Sequence, residues 1–434
     1  MDKFVIRGGN PLVGTVQVSG AKNSALPCMA AAILTDGEVK LENTPQVRDI
    51  ETERRLLASM GAAVELSEGE HKGSTTICCS KLSDPIARYE IVKTMRASSL
   101  VLGPLIARAG VAHVAMPGGC AIGGRPIDLH IKGLERMGAT ITQQHGYLEA
   151  RADRLRGAHI VFDKITVTGT EDLLMAAVLA DGETLLENCA REPEVADLAA
   201  LLAAMGARIE GAGTPSIRVR GVSRLYGARY RISPDRIEAG TFLVAGAMTG
   251  GDLIVANCNT AHLGAVIAKL RETGARVDIL GPEAARVRAG GRLRAVDIST
   301  EEYPGFPTDM QAQYMALATQ AEGVSQVHEN IFENRFMHVQ ELVRMGANIK
   351  VDGNTATVHG PARLSAAAVM CSDLRASDSL VLAALVAEGE TIVDRVYHMD
   401  RGYERFVEKL SACGAQIHRM GNVFAPKEAA NAAV

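Results

Sequence analysis

The chain has 434 residues, enough for two or three domains with substantial cores, and 47% hydrophobic with 22% charged residues is the balance of an ordinary globular protein. A formal net charge of −4 with no Trp and few aromatics excludes a general nucleic-acid binder, which needs a broad basic field and stacking platforms. Residues 1–18 carry no secretory signal, no apolar run reaches the length of a membrane span, and the eight Cys show neither C-x-x-C nor His spacing. The expectation is a cytoplasmic protein with reduced thiols, no membrane insertion, no zinc site, and no metal or organic cofactor.

In chain order, apolar helical segments are centred on Ala25–Leu34, Ser98–Ala107, Leu173–Ala180, Phe242–Met248, Gln313–Thr319 and Leu380–Ala387, each apolar on nearly every face and so expected to be buried. A short strand follows each, for example Glu183 to Asn188. Amphipathic helices then run from about Asp49, Leu129, Val195, Ala261, Met337 and Arg401. Each leads into a Gly-Ala pair: Gly61-Ala62, Gly138-Ala139, Gly206-Ala207, Gly274-Ala275, Gly346-Ala347 and Gly414-Ala415. The spacing is roughly 70 residues, too long for a solenoid unit and suited to a supersecondary module ending on a Gly-capped helix. The second and sixth copies share a string, Arg96-Ala97-Ser98-Ser99-Leu100-Val101-Leu102 against Arg375-Ala376-Ser377-Asp378-Ser379-Leu380-Val381-Leu382. The copies predict an α/β fold of six β-α-β-α-β modules in two domains of three, divided near Tyr230–Asp235 where Ser233-Pro234 interrupts the pattern. A cleft between two such domains is the natural binding site.

Lys22, Arg96 and Arg375 stand at the starts of buried helices, where a cation opposes the helix dipole. A set of such cations makes sense if they and the helix ends hold an anion together. The segment Pro117-Gly118-Gly119-Cys120-Ala121-Ile122-Gly123-Gly124-Arg125-Pro126 has four Gly in seven residues, the composition of a lid. Its Cys120 can serve as nucleophile or proton donor, with Arg125 favouring the thiolate. The other seven Cys sit in apolar or strand-like contexts and read as packing residues. Asp309, in Phe306-Pro307-Thr308-Asp309-Met310-Gln311, precedes a buried helix, so it is either an N-cap or a general base.

These motifs resemble the UDP-N-acetylglucosamine enolpyruvyl transferase family. The resemblance runs from Met1 to about Arg419 and rests on Gly20-Ala21-Lys22-Asn23, Lys93-Thr94-Met95-Arg96-Ala97-Ser98, the Pro117 to Pro126 loop, the Phe306 to Gln311 segment, Phe332-Glu333-Asn334-Arg335-Phe336, Asp373-Leu374-Arg375-Ala376-Ser377 and Asp400-Arg401-Gly402-Tyr403-Glu404. The related 3-phosphoshikimate enzymes share the fold but not the Cys-containing loop. The family fold implies two inside-out α/β barrel domains, 22–233 carrying the Cys120 loop and 234–434 completed by the N-terminal segment 1–21.

The family's reaction moves the enolpyruvyl group of phosphoenolpyruvate to the 3′-hydroxyl of UDP-GlcNAc, releasing phosphate, in the first committed step of peptidoglycan synthesis. The resemblance implies Cys120 as the general acid, able to form a 2-(S-cysteinyl)pyruvate adduct and alkylated by fosfomycin. It implies Asp309 as the base for the sugar hydroxyl. Lys22, Arg125 and Arg401 would meet the phosphate, Arg335 and Arg375 the carboxylate, with Asn23 beside them. The nucleotide sugar would be held by Arg96, Arg125, Pro126, Ile127, Asp128, Leu129, Lys164, Ile165, Thr166, Val167, Asp309 and Ile331. One departure is Val167-Thr168-Gly169-Thr170, where the family commonly has Val-Gly-Ala-Thr. Binding of UDP-GlcNAc is expected to close the cleft, and Cys120→Asp to keep some turnover while resisting fosfomycin.

Overall fold

The computed structural model describes residues 2–67, 73–116, 127–288 and 290–421. Cys120, Arg125 and Pro126 lie outside these. Six separate four-stranded sheets surround buried helices, so helices lie inside and sheets outside. The third sheet shows the shared plan. His159–Val161 runs parallel to Glu183–Glu187, which pairs antiparallel with Ser216–Arg220, itself antiparallel to Arg208–Glu210. Five of the six sheets therefore carry a hairpin strand beyond the sequence expectation, giving β-α-β-α-β-β, and in the sixth Lys3–Arg7 takes that place. In the third module that strand alternates buried Ile217 and Val219 with exposed Arg218 and Arg220, a period-two pattern over only five residues.

The recurrent Gly-Ala pair has one structural cause. All six glycines have positive φ, between 94° and 105°. In the third copy Gly206 N–H donates to Ala203 O and Ala207 N–H to Leu202 O, both at 2.9 Å, the Schellman closure of a helix. The same bond pair closes the other five amphipathic helices. The glycine supplies the left-handed turn, and the small Ala after it tucks against the core.

Buried helices Lys22–Ala31, Leu102–Ala109 and Val167–Ala177 share one core with residues from Ala25 to Ile232. Arg236–Met248, Gln311–Ala318 and Leu374–Val386 share a second, which also takes Phe4, Ile6, Leu12, Val16 and Val18. The N-terminal strands account for that. Lys3–Arg7 lies between Glu390–Asp394 and Gln416–Met420, antiparallel to both, and Val13–Gln17 lies parallel to Asp252–Ala256. The first half closes on itself instead, with Ala228–Arg231 parallel to Glu38–Glu42.

The last amphipathic helix begins at Phe406, five residues after the expected Arg401. Val396–Arg401 is a 3₁₀ turn, Gly402 packs against Leu374, and Arg405 adopts a left-handed conformation with φ 51°, so no helix can run continuously from Arg401.

The chain crosses between the halves twice, and the crossings touch. Ala21 N–H donates to Ser233 O (2.8 Å), Asp235 N–H donates to Ser19 O (2.9 Å), and Gly20 bridges Pro234. Asp197 anchors them to the first half, accepting from Ser24 Oγ (2.7 Å), Tyr230 Oη (3.0 Å), Ser233 N (3.0 Å) and Ser233 Oγ (2.6 Å). A Cβ on Gly20 would stand 1.7 Å from the Asn43 carbonyl oxygen. Gly20→Ala is therefore expected to destabilise the protein by about 3 kcal/mol, read from urea unfolding, because backbone rather than a flexible side chain blocks the added methyl.

Candidate active site

Four of the expected cations assemble into two pairs, each sharing one carboxylate. Lys22 opens the helix Lys22–Ala31, whose first turn has no side-chain cap and no acidic residue. Its Nζ donates to Asp49 Oδ2 at 3.1 Å, and Arg401 Nε, from the second half, donates to Asp49 Oδ1 at 2.9 Å. Burial alone would raise the Asp49 carboxyl, but Lys22 and Arg401 outweigh it and hold it below the ordinary value. The two halves are thus bridged at this point.

The second pair lies wholly in the second half. Arg335 Nη2 donates to Asp309 Oδ1 at 2.7 Å and Arg375 Nη2 to Asp309 Oδ2 at 3.0 Å. Both arginines are buried, 6% exposed each, while the Asp309 side chain is 28% exposed. Burial pushes the Asp309 carboxyl up, yet the guanidiniums of Arg375 and Arg335 hold it far below the usual carboxylate range. Asp309 sits in the 3₁₀ turn Thr308–Met310 and makes no capping bond to the helix Gln311–Ala318 that follows. The cap reading of Asp309 is therefore set aside. Gly402 against Leu374 places the Arg401 turn beside the Arg375 helix start, so the two pairs are neighbours.

Lys22 and Arg375 are balanced by carboxylates from other elements, Asp49 and Asp309, rather than left to oppose the dipole. The Arg375 helix is additionally capped by Asp373, which accepts from Arg375 N (2.9 Å) and Ala376 N (3.1 Å). Asn23 is exposed next to Lys22. Arg96 begins the 3₁₀ helix Arg96–Val101 and lies close enough to His130 to help burial lower that imidazole to about 4. His130 in turn contacts Thr168 Oγ1 at 3.2 Å, tying the helix that starts at Asp128 to the one that starts at Val167.

Ile127 is buried and Asp128 and Leu129 open the first of these helices; Lys164 is exposed, and Ile165, Thr166 and Val167 lead into the second. Thr166 caps it, accepting from Gly169 N at 3.2 Å. A Cβ on Gly169 would stand 2.5 Å from Thr166 Cγ2, which explains a glycine at this position. The Ile331 N–H is already given to Glu329 (2.9 Å), so a ligand would meet the Ile331 carbonyl.

Two acids organise the site without having been singled out. Asp49 lies in the first turn of Arg48–Ser59, where an acid is ordinary dipole compensation and carries no special signal. Glu329 gathers Thr300 Oγ1 (3.0 Å), Thr308 Oγ1 (2.9 Å), Ile331 N and Phe332 N, and so fixes the turn that carries Asp309. Cys28, Cys79, Cys189, Cys258, Cys371 and Cys413 are buried free thiols, and burial pushes Cys189 and Cys371 up to about 12, consistent with packing roles.

One turn beyond Asp49, Glu53 is fully buried and neither of its carboxyl oxygens has a partner. Burial, then Asp49, raise its carboxyl to about 8. A buried acid of this kind costs nothing below about pH 4.5 and progressively more up to its folded value, because only the unfolded chain ionises freely in between. Glu53→Met is expected to stabilise the protein by about 3 kcal/mol at pH 8 and by much less at pH 5, measured as urea midpoints.

A cavity of about 860 Å³ lies away from this site. It is lined by Leu34, Ile106, Arg108 and Leu179 where the first half's buried helices end, the negative ends of their dipoles.

The fold repeats one module in two halves, which Lys22, Asp49 and Arg401 bridge. The family model for EPSP synthase (3-phosphoshikimate 1-carboxyvinyltransferase) matches residues 6–410, and the chain belongs to this family of carboxyvinyltransferases. Among curated relatives, a UDP-N-acetylglucosamine 1-carboxyvinyltransferase from Acidobacterium capsulatum is 75% identical, over 99% of both chains. One of the same name from Koribacter versatilis is 68% identical over the full length of both. Among solved structures, the enolpyruvyl transferase NikO from Streptomyces tendae superposes with a TM-score of 0.87 at 26% identity, covering 96% of this chain and 98% of that one. EPSP synthase from Acinetobacter baumannii shares the fold, with a TM-score of 0.74 at 19% identity over 97% of this chain and all of that one.

Proposed function

We propose that this protein transfers the enolpyruvyl group of phosphoenolpyruvate to the 3′-hydroxyl of UDP-GlcNAc, in the cytoplasm, for peptidoglycan synthesis. The observation that carries the reading is the sorting of four cations from both halves into two neighbouring pairs, fitting a small substrate with a phosphate at one end and a carboxylate at the other. The names of the 75% and 68% identical relatives supply the acceptor. Residues 22–233 form one domain in this reading, and 234–434 with 1–21 the other.

Lys22 and Arg401, with Arg125, hold the phosphate; Arg335 and Arg375 hold the carboxylate, with Asn23 alongside. Arg96, the segments 125–129 and 164–167, Asp309 and the Ile331 carbonyl line the nucleotide-sugar site. Cys120 gives a proton to the phosphoenolpyruvate methylene while the sugar 3′-oxygen bonds to the adjacent carbon and its proton passes to Asp309. Loss of a methyl proton and expulsion of phosphate from the resulting ketal restore the double bond. Cys120 is also the residue that forms the cysteinyl-pyruvate adduct and reacts with fosfomycin.

A carboxylate clasped by two guanidiniums is a weak base. In this mechanism the incoming substrate carboxylate takes Arg335 and Arg375 from Asp309, and Asp309 regains basicity as the substrate arrives.

Phosphate release from phosphoenolpyruvate is measured with UDP-GlcNAc and, in parallel, with shikimate 3-phosphate, each with and without fosfomycin. Release with UDP-GlcNAc alone, abolished by fosfomycin, is the expected result. Release with the shikimate acceptor overturns the nucleotide-sugar assignment, and release with neither overturns the reading as a whole.

A further inference from the structure

The repeated string that links the second and sixth modules differs by one inserted residue, and that residue is Asp378. Where Arg96-Ala97-Ser98-Ser99 folds as a 3₁₀ helix, Arg375-Ala376-Ser377-Asp378-Ser379 lies in the α-helix Leu374–Val386. Asp378 is completely buried and one of its oxygens, Oδ1, has no partner. An apolar residue there would avoid the desolvation cost of a carboxyl.

The other oxygen is the centre of a network drawn from all three buried helices of the second half. Tyr403 Oη donates to Asp378 Oδ2 at 2.6 Å and Gln313 Nε2 at 3.1 Å. Gln313 Nε2 also reaches Thr241 Oγ1 at 3.2 Å, and Thr241 Oγ1 meets Tyr403 Oη at 2.8 Å. Arg375 closes the network, its Nη1 3.2 Å from Tyr403 Oη and 3.4 Å from Asp378 Oδ2. The Arg375 guanidinium is thus divided. Nη1 is committed inward, and Nη2 faces outward to Asp309 at 3.0 Å. The Tyr403 ring also lies against it, 5.7 Å from centroid to Cζ.

We infer that Tyr403 and Asp378 are positioning residues that lock the Arg375 guanidinium edge toward the cleft, so that it recognises a planar carboxylate on the substrate. The inference rests on the reading of Arg375 given above. A guanidinium presents two parallel donors to a carboxylate only when its plane is fixed, and a freely rotating Arg375 would bind as a diffuse charge. The string at Arg96 is the copy without the inserted acid.

The test uses the full-length enzyme with four variants and steady-state phosphate release. Tyr403→Phe keeps the ring and removes the hydroxyl; Asp378→Ala removes the carboxyl; Asp378→Asn keeps the acceptor oxygen. Ser379→Ala, which removes another buried hydroxyl of the same helix outside the network, is the stability control. The expected result is a KM for phosphoenolpyruvate raised about tenfold in Tyr403→Phe and Asp378→Ala, kcat within about threefold, and UDP-GlcNAc affinity unchanged. Asp378→Asn is expected to recover most of the loss, and Ser379→Ala to lower the melting temperature without moving this KM.

A phosphoenolpyruvate KM within twofold of wild type in whichever of Tyr403→Phe and Asp378→Ala folds overturns the inference. So does an equal rise in Ser379→Ala. Absence of turnover in the wild-type enzyme overturns the proposed function instead, which keeps the two outcomes apart.

Discussion

Asp309→Asn is expected to lower kcat by about a thousandfold, the scale of losing a positioned general base. The same change should tighten phosphoenolpyruvate binding about fivefold, since a neutral amide competes less for Arg335 and Arg375 than the carboxylate now held by both. Loss of turnover with tighter binding separates this role from simple damage to the pocket, which would weaken both. Pre-steady-state transfer and equilibrium titration of phosphoenolpyruvate measure the two halves of the prediction. Unchanged affinity with unchanged kcat would remove Asp309 from the chemistry.

Asp49→Ala is expected to destabilise the protein by about 2 kcal/mol, chiefly because it strands the Lys22 ammonium in a largely buried site, while the 39% exposed Arg401 side chain turns to solvent. The pH dependence has a defined sign. The folded carboxyl lies below its unfolded value, so its contribution is complete above about pH 4 and is lost as pH falls through the folded value. Urea midpoints of wild type and Asp49→Asn should therefore differ at pH 6 and draw together as acid protonates the folded carboxyl. Lys22 and Arg401 also lose the anchor that holds them together, and kcat/KM for phosphoenolpyruvate should fall about a hundredfold in Asp49→Ala, an effect the near-isosteric Asn partly restores.

Much of the architecture was legible because one local device is written six times. A Gly-Ala pair after an amphipathic run encodes a Schellman closure through neighbouring bonds, and Gly61 through Gly414 all obey it. What escaped was non-local. The extra strand is held by ladder bonds on both sides, as Ser216–Arg220 is by Glu183–Glu187 and Arg208–Glu210, and its five residues alone do not announce those partners. The place of Lys3–Arg7 between two C-terminal strands depends on pairings nearly 400 residues apart, so only family resemblance pointed to it.

The site divides in the same way. Lys22, Arg96 and Arg375 were visible because cations at helix starts go against the local rule, and rule-breaking residues draw the eye. Asp49 and Glu329 follow local rules and were invisible. Asp309 stayed ambiguous between cap and base because the choice is made by Arg335 and Arg375, 26 and 66 residues further along the chain.

The touching crossings at Gly20 and Pro234 place the two ends of the first half side by side. In covalent terms the first half is an insertion in a host, entering and leaving through one doorway. An inserted body whose ends already meet adds little loop-closure entropy to the folding of its host. Its attachment also decides its mechanics. Two distant tethers would fix its orientation by themselves; with adjacent ones, the ion pairs Arg401 to Asp49 and Arg236 to Glu194 do the orienting.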